Sequence, residues 1–321
     1  MNFRTEIKPE KATPFITHSK PVVMMGSCFT ENIGEKFRDA LFDVTVNPWG
    51  TLYNPVSIYN ELNAVVENLN ADRSRIIEYN GLYHSYDHHS KFSAKTSEEI
   101  VSRIDAVTSD AYTKLKEASA LIITFGSATV FRLVADNSIV GNCHKLPAKM
   151  FVQQRLDINE TVTQWTELLK RVIKLNPSIR IIFTVSPIRY KAYGFHNSQL
   201  DKARLLLISD IIREQINAEK GNEGRVIYFP SYEIMMDDLR DYRFYAQDMI
   251  HPSEVAVNYI YEIFSRQFFS EKTMSLAAKC EGYTRRLNHR FLTDNTEEIN
   301  KFNNDTEKIR IEIESELKHE I

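Results

Sequence analysis

The sequence predicts an α/β fold in which a parallel sheet lies between two layers of helices, followed by a helical C-terminal extension. Short apolar runs alternate five times with longer segments of helical periodicity. Glycine, proline or asparagine follows most of these runs, as expected where a strand ends in a turn. Beyond about Ser270 the pattern is helical throughout. We therefore divide the chain into an α/β domain over 1–270 and a helical extension over 271–321.

The predicted strands are short apolar stretches, several of them rich in β-branched residues. The clearest is the continuous run that ends at Gly126, which has the length and composition of a central parallel strand. Gly26 ends the first run, and Ser186 with Pro187 ends the fourth. In chain order, the predicted strands are residues 21–25, 42–46, 120–125, 179–185 and 225–229.

The predicted helices show apolar residues that recur every three or four positions. Asn54 and Pro55 supply the N-cap and the first-turn proline of one helix, and Pro252 starts the helix after the last strand. The predicted helices are residues 31–42, 55–69, 97–117, 159–175, 198–218 and 232–239, one after Pro252, and two in the extension at 274–292 and from 296.

Two hairpins interrupt the alternation of strands and helices. In the segment 75–86, Asn80 and Gly81 form the favoured two-residue turn between apolar or aromatic flanks. We interpret this segment as an insertion into the sheet domain. Residues 129–140 show a second hairpin pattern and lead into a loop.

Composition argues against several kinds of partner. With 43% hydrophobic and 26% charged residues, the chain has the make-up of a folded globular protein. Its formal net charge of -3 comes without a basic patch, so nucleic acid is not an expected partner. No apolar run is long enough to span a bilayer, and the charged N-terminal residues do not resemble a signal peptide. We therefore expect a cytoplasmic protein with no membrane partner.

No sequence pattern indicates a metal or an organic cofactor. Cys28, Cys143 and Cys280 are an odd number without close pairing, which suits free thiols in a reducing compartment. His84 and His88 belong to the densest imidazole and carboxylate cluster, but their segment is typical of a strand end and loop rather than a helix. We expect neither metal nor cofactor, and a metal-dependent enzyme built on these histidines is an alternative.

Ser27 is the predicted nucleophile. It follows the first strand and starts the next helix, at the edge of the sheet where parallel α/β folds bind ligands. A serine hydroxyl needs a base, and His251 can accept its proton. Asp248, three residues earlier, can hold the other imidazole nitrogen and stabilise the imidazolium. Cys28 is a rival nucleophile, although its neighbouring position favours a buried structural thiol.

Backbone NH groups are the predicted donors to the oxyanion that forms during attack. The unpaired NH groups at the start of the helix after Ser27 point towards this position. Gly50 can bring its own NH close without a side chain in the way, although a plain turn glycine explains it equally well.

Five motifs along the chain carry a family resemblance. They are Gly26-Ser27-Cys28-Phe29, Asn47-Pro48-Trp49-Gly50-Thr51-Leu52-Tyr53-Asn54-Pro55, Asn142-Cys143-His144-Lys145, Ser186-Pro187-Ile188-Arg189 and Asp248-Met249-Ile250-His251-Pro252. Together, over about residues 21–268, they resemble the GSCFA domain family of the SGNH (GDSL-like) hydrolase superfamily. The resemblance implies a flavodoxin-like fold, a triad of Ser27, Asp248 and His251, and Gly50 as the second-block oxyanion donor.

The sequence departs from the superfamily pattern at the third block. The superfamily's Gly-x-Asn-Asp reads Gly126-Ser127-Ala128-Thr129 here, so Ala128 stands where the oxyanion asparagine is expected. Ser127 or Asn142 can supply the missing donor, and His144 is a further candidate for substrate contact.

We predict a serine-dependent ester hydrolase that forms an acyl-enzyme with a small-molecule or carbohydrate ester, the carbohydrate resting on superfamily analogy alone. An acyltransferase of the same mechanism is an alternative, because an acceptor alcohol leaves no motif. A noncatalytic ligand-binding protein on this fold is another, motivated by the missing third-block asparagine. The C-terminal helices either pack against the sheet domain or mediate homo-oligomerisation.

Overall fold

The computed structural model describes residues 4–10, 12–292, 294–318 and 320. Its strands are β1 Val22–Gly26, β2 Val44–Val46, β3 Ile76–Tyr79, β4 Leu82–Ser85, β5 Ala120–Phe125, β6 Thr129–Leu133, β7 Ile139–Val140, β8 Phe151–Arg155, β9 Arg180–Val185 and β10 Val226–Phe229. Its helices are α1 Cys28–Asp39, α2 Pro55–Val66, α3 Ser97–Glu117, α4 Ile158–Leu175, α5 Phe195–Asn217, α6 Ser231–Glu233, α7 Glu254–Phe268, α8 Glu271–Leu287 and α9 Thr296–Lys318. The short α6 continues into a π-helical turn over Ile234–Asp238.

Five parallel strands form the central sheet, in the order β10-β9-β5-β1-β2. Counted along the chain within this sheet, the order is the 2-1-3-4-5 arrangement of flavodoxin-like folds. β5 lies at the centre and pairs along its length with β1 on one side and β9 on the other. The predicted fold class is confirmed.

The side chains of β5 alternate between two hydrophobic cores. Leu121, Ile123 and Phe125 face the layer formed by α2, α3, α4 and α5. Ala120 and Ile122 face the opposite layer, where α1 and α7 pack. A strand that is buried on both faces needs apolar side chains at nearly every position, which is why its sequence is an almost continuous apolar run.

The two predicted hairpins lie outside the main sheet. β3 and β4 pair across Asn80 and Gly81, whose φ values of 52° and 75° fit a type I′ turn. The second hairpin is larger than predicted, because β8 joins β6 and β7 in a three-stranded sheet. The sequence pattern missed β8 because Val152, Gln153 and Gln154 are exposed and leave no apolar run.

The C-terminal extension is helical, as predicted. α8 and α9 pack together through a cluster around Leu276, Cys280 and Ile313. α8 also contacts the sheet domain, where Thr284 Oγ1 donates a hydrogen bond to the Asp39 carbonyl at the end of α1. Packing against the α/β domain is therefore observed, and homo-oligomerisation stays a prediction. In the described part of the chain, no helix has the length and apolar character needed to cross a bilayer.

Candidate active site

Ser27 lies immediately after β1 and is the N-cap of α1. Its Oγ accepts a hydrogen bond from the Phe29 NH at 3.3 Å, and its own NH donates to the Thr124 carbonyl at 3.2 Å. α1 begins at Cys28, earlier than the predicted start at residue 31, because the cap is already formed at Ser27. Ser27 is only 1% exposed.

Gly26 brings the Ser27 turn against β5. Its φ is 143°, and a Cβ built there would lie 2.2 Å from the Thr124 carbonyl oxygen. No side chain fits in this space, so glycine is required immediately before Ser27.

Asn47 connects the Ser27 turn to the loop after β2. Its buried side chain accepts a hydrogen bond from the Gly26 NH at 2.7 Å and donates one to the Glu31 carboxylate at 2.8 Å. Its backbone NH donates to the Met24 carbonyl at 2.8 Å. The loop that carries Gly50 is thereby fixed relative to the predicted nucleophile.

The loop after β5 closes on the same turn. A Cβ at Gly126 would lie 3.2 Å from the Ser27 Cβ, so the two backbones pass close to each other. The NH groups of Gly126 and Ser127 both donate to the Tyr53 carbonyl, at 2.7 and 2.9 Å. The segments that follow β1, β2 and β5 therefore meet around Ser27, as expected for the carboxyl edge of a parallel sheet.

Asp248 and His251 form a hydrogen-bonded pair in one tight turn. Asp248 Oδ2 lies 2.5 Å from His251 Nδ1, and Oδ1 accepts hydrogen bonds from the NH groups of Ile250 and His251 at 2.9 and 3.0 Å. Met249 adopts a left-handed φ of 59° within this turn. The hydrogen bonds, first of all that from the His251 backbone, lower the pKa of Asp248 to about 2.

The ionised Asp248 carboxylate orients the His251 ring through Nδ1. No described residue forms a hydrogen bond with His251 Nε2, which leaves this nitrogen for a substrate or a nucleophile. This is the arrangement that a general base of a serine enzyme requires.

Arg189 joins the 248–251 turn to the carboxyl end of β9. Its NH donates to the Ile250 carbonyl at 3.2 Å, and its guanidinium donates to the Met249 carbonyl at 3.4 Å. The same guanidinium lies 4.5 Å from the ring centre of Phe195 and 5.4 Å from that of Tyr245. Cation–π contacts of this kind hold a half-buried arginine in place, so the position of the turn is set from β9.

Ser27 and His251 are not hydrogen-bonded to each other. Their neighbours Cys28 and Ile250 pack against the same hydrophobic cluster. The Ser27 Oγ caps α1, whereas the His251 side chain is 46% exposed. Catalytic hydrogen bonds are often long or misaligned without substrate and tighten when it binds. The predicted triad therefore consists here of an assembled Asp248–His251 pair and a separately held serine.

The model of the GSCFA family matches residues 21–264. The chain belongs to the GSCFA family. The matched region contains the sheet, α1 and the three residues of the predicted triad. Among curated proteins, none matches this GSCFA chain.

Two solved structures are similar to this GSCFA protein. One is a Clostridium thermocellum family 3 carbohydrate esterase, 11% identical, with 81% of this chain and 97% of that chain covered and a TM-score of 0.37. The other is a Corynascus thermopiles (Myceliophthora fergusii) carbohydrate esterase family 2 enzyme plus carbohydrate binding domain. It is 10% identical, with 84% of this chain and 69% of that chain covered and a TM-score of 0.41.

Two of the predicted oxyanion donors of this GSCFA protein already have partners within the chain. The Gly50 NH donates to the Asn47 carbonyl at 2.8 Å, and a Cβ at Gly50, with φ at 90°, would lie 2.2 Å from the His89 Cβ. These contacts account for the glycine without a catalytic role. Ser127 Oγ donates to Asp201 Oδ2 at 2.9 Å. An oxyanion role for Gly50 or Ser127 stays a prediction, and it requires these bonds to be exchanged for substrate.

Asn142 and the start of α1 keep donors available. No described residue accepts a hydrogen bond from Asn142 Nδ2, while its Oδ1 accepts one from the His144 NH at 2.9 Å. The NH of Cys28 is the first of α1 and has no intrahelical acceptor. His144, by contrast, is buried with Nε2 2.6 Å from the Ser85 carbonyl, and Ala128 lies in the core. Of these positions, the Cys28 NH and Asn142 Nδ2 have no hydrogen-bond acceptor on another described residue.

The Cys28 thiol is a poor rival to Ser27. Burial raises the pKa of the Cys28 thiol, and a hydrogen bond from its own backbone NH and the nearby charge of Lys202 oppose this only in part. Because the thiolate rather than the thiol is the nucleophile, the protonated form is unreactive. The structural reading of Cys28 is therefore favoured.

The predicted histidine cluster is held by hydrogen bonds within the chain. His88 Nδ1 lies 2.7 Å from Ser85 Oγ, and His84 Nδ1 lies 2.7 Å from Ser93 Oγ. Burial, with a smaller effect of His144, lowers the pKa of His88 to about 3, so this ring is neutral at pH 7. Within the described ranges, no group of three or more His, Cys, Asp or Glu residues is arranged to hold a metal ion.

Sequence reasoning assigned no role to Asn47, Asp201 and Lys202, which build the surroundings of the site. Asp201 and Lys202 are 4% and 3% exposed, although charged residues are seldom buried this far. Both lie three or four residues before Leu205, on the apolar face of α5. A charged pair on that face was the available signal.

Proposed function

We propose that this GSCFA protein is a serine-dependent ester hydrolase of the SGNH type, with Ser27 as nucleophile, His251 as general base and Asp248 as the group that orients the base. The observation that carries the proposal is the Asp248–His251 pair. An ionised carboxylate holds Nδ1 and leaves Nε2 free, in a turn that packs against the same cluster as the residue after Ser27. A positioned base of this kind typically contributes about 10²- to 10⁴-fold to the rate.

The proposed reaction consists of two acyl transfers. Ser27 Oγ attacks the ester carbonyl carbon while His251 Nε2 takes the hydroxyl proton, and NH groups at the start of α1 stabilise the oxyanion. The intermediate collapses as His251 returns the proton to the leaving alcohol, which gives the acyl-enzyme. Water, activated by His251, then attacks the acyl carbon, and the acid leaves as Ser27 regains its proton.

The difference in exposure between the two reacting side chains favours an ester with a small acyl group and a larger alcohol. Ser27 is 1% exposed, so little room is open to the acyl part of the ester, whereas the His251 side chain, which in this mechanism returns the proton to the leaving alcohol, is 46% exposed. Acetylated carbohydrates combine a small acyl group with a larger alcohol and fit this difference in exposure, as do similar esters. An acceptor alcohol in place of water would give acyl transfer with the same residues.

A noncatalytic ligand-binding protein is the second candidate. It is favoured by the hydrogen bond that Ser27 Oγ accepts at the start of α1. It is also favoured because the Gly50 NH and the Ser127 hydroxyl already donate to acceptors within the chain. This candidate predicts that small esters bind without turnover.

Turnover of p-nitrophenyl acetate by the wild type and by Ser27→Ala tests the proposal. We expect Ser27→Ala to lose about 10³-fold or more in kcat, and a fluorophosphonate to label Ser27 covalently. Ser270→Ala is the matched control, because Ser270 Oγ caps α8 by accepting from the Thr273 NH at 3.0 Å. This control loses a helix cap in the same way but should keep full activity. Undiminished turnover in Ser27→Ala would contradict the proposal, and wild-type binding without turnover would support the second candidate.

A further inference from the structure

Lys202 is a buried lysine whose ammonium group binds the ends of two central strands. Nζ donates to the Gly126 carbonyl at 2.9 Å and to the Ser186 carbonyl at 2.7 Å. Gly126 follows β5 and Ser186 follows β9, so a single side chain from α5 joins two neighbouring strand ends. Lys202 itself is 3% exposed.

The acceptors of Lys202 are carbonyl groups rather than a carboxylate. The adjacent Asp201 accepts hydrogen bonds from the hydroxyls of Ser127 and Thr129 at 2.9 and 2.8 Å, and pairs with Arg155. Asp201 is therefore committed to the β5–β6 connection and acts on Lys202 only at a distance. A buried cation with neutral acceptors is costly for the fold, which points to a role other than stability.

Three titratable groups face Lys202 from the elements around it. Asp201 lies on the same helix, the Cys28 thiol lies on α1, and the Tyr232 ring centre lies 5.7 Å from Nζ. Burial lowers the pKa of Lys202 to about 7, and Asp201 and Cys28 oppose this shift. The charge of Lys202 therefore changes in the neutral range.

We propose that Lys202 is a positioning residue for the Ser27 site, which holds the two strand ends behind the nucleophile and places a positive charge there. The Gly126 backbone that it binds approaches Ser27 Cβ closely, at 3.2 Å from a Cβ built at the glycine. The Ser186 end leads to Arg189, which fixes the turn carrying His251. Lys202 thus sets the spacing between the two separately held parts of the triad. This inference rests on the proposed ester hydrolase function.

The charged form of Lys202 should favour the reaction, because a cation behind Ser27 stabilises the developing oxyanion. This form predominates below pH 7 and is lost as the pH rises through the pKa of about 7. We expect a falling limb of kcat above neutral pH that belongs to Lys202.

Lys202→Met tests this role, because methionine keeps an unbranched side chain but has neither charge nor donor. With p-nitrophenyl acetate we expect kcat to fall by about 10- to 100-fold while KM changes less than about twofold, and the falling limb to disappear. Lys220→Met, an exposed lysine beyond α5, is the control and should match the wild type. An unchanged kcat and pH profile in Lys202→Met would overturn the proposal, as would an effect on KM alone.

If the Lys202→Met variant does not fold, a second measurement on the wild type still tests the placement of Lys202. In wild-type protein labelled with ¹⁵N-lysine, we expect one ammonium group with slow proton exchange that titrates near neutral pH and is absent from a Lys202→Arg sample. A Lys202 signal that exchanges like the surface lysines would overturn the placement. This readout does not need turnover, so a wild type without esterase activity would refute the proposed function and leave the placement of Lys202 to be judged separately.

Discussion

Replacing Glu61 by glutamine is expected to remove a pH dependence from the stability of the fold. Glu61 lies on α2 and is 0% exposed, with Oε1 accepting a hydrogen bond from the Trp49 NH at 2.9 Å. Its Oε2 is buried and has no hydrogen-bond partner among the described residues. Burial raises the pKa of Glu61 from 4.5 to about 8, against smaller opposing effects of Trp49 and Lys91. The folded protein therefore holds a neutral carboxyl group at pH 7.

The size of the effect follows from this difference in pKa. A carboxyl group that binds its proton more tightly in the folded state stabilises the fold fully below pH 4.5, and this contribution is lost as the pH rises through about 8. At about 1.4 kcal/mol for each pKa unit, the interval from 4.5 to about 8 corresponds to roughly 5 kcal/mol. Relaxation and water penetration around the ionised group reduce this value, so we expect a loss of about 2 to 5 kcal/mol relative to Glu61→Gln.

Urea unfolding of the wild type and Glu61→Gln at several pH values between 4.5 and 8, followed by tryptophan fluorescence, measures this difference. Glutamine keeps the shape and an oxygen for the Trp49 NH, so the comparison isolates the titrating proton. Glu117→Gln, at the exposed end of α3, removes a carboxyl group from the surface instead and should follow the wild type. If the unfolding free energies of wild type and Glu61→Gln change in parallel with pH, the reasoning is refuted.

Three further substitutions test other parts of the structure. Asn47→Asp loses its donor to Glu31 and sets two carboxylates side by side; we expect about 2 to 4 kcal/mol of destabilisation in urea unfolding, and an unchanged midpoint would contradict it. Gly50→Ala forces a Cβ against His89 at a φ of 90°; thermal unfolding should show a loss of about 1 to 3 kcal/mol, and a wild-type Tm would argue against that contact. His88, with a pKa lowered to about 3, stabilises the fold fully above pH 6.5 and loses this contribution as the pH falls. His88→Phe should therefore show a weaker acid dependence of unfolding, whereas equal acid midpoints would count against a neutral, buried ring.

The parallel sheet was predictable because burial on both faces leaves a direct mark on the sequence. β5 is apolar at nearly every position, and Gly126 ends it at the predicted place. β8 left no such mark, since its central residues Val152, Gln153 and Gln154 face solvent and its pairing with β6 depends on the tertiary structure. Strands buried on two faces are therefore easier to recognise than strands at the surface of an insertion.

The Asp248–His251 pair was predictable for a different reason, and the surroundings of the candidate site were not. The short spacing of Asp248 and His251 allows one turn to form their hydrogen bond, and local geometry is readable from sequence. Asn47 and Lys202 act through partners that are 16 to 76 residues away in the chain. Which buried polar groups meet is decided by packing, so neither contact has a local signal.

The hydroxyl that closes the first turn of α1 is also the proposed site of acylation. While it accepts the hydrogen bond from the Phe29 NH at 3.3 Å, this cap stabilises the start of the helix by about 1 kcal/mol. An ester oxygen is a weaker acceptor than a hydroxyl, so each acylation would loosen this turn and each deacylation would close it again. Hydrogen exchange at the Phe29 amide should then report the acylation of Ser27, because it becomes faster when the serine carries an acyl group.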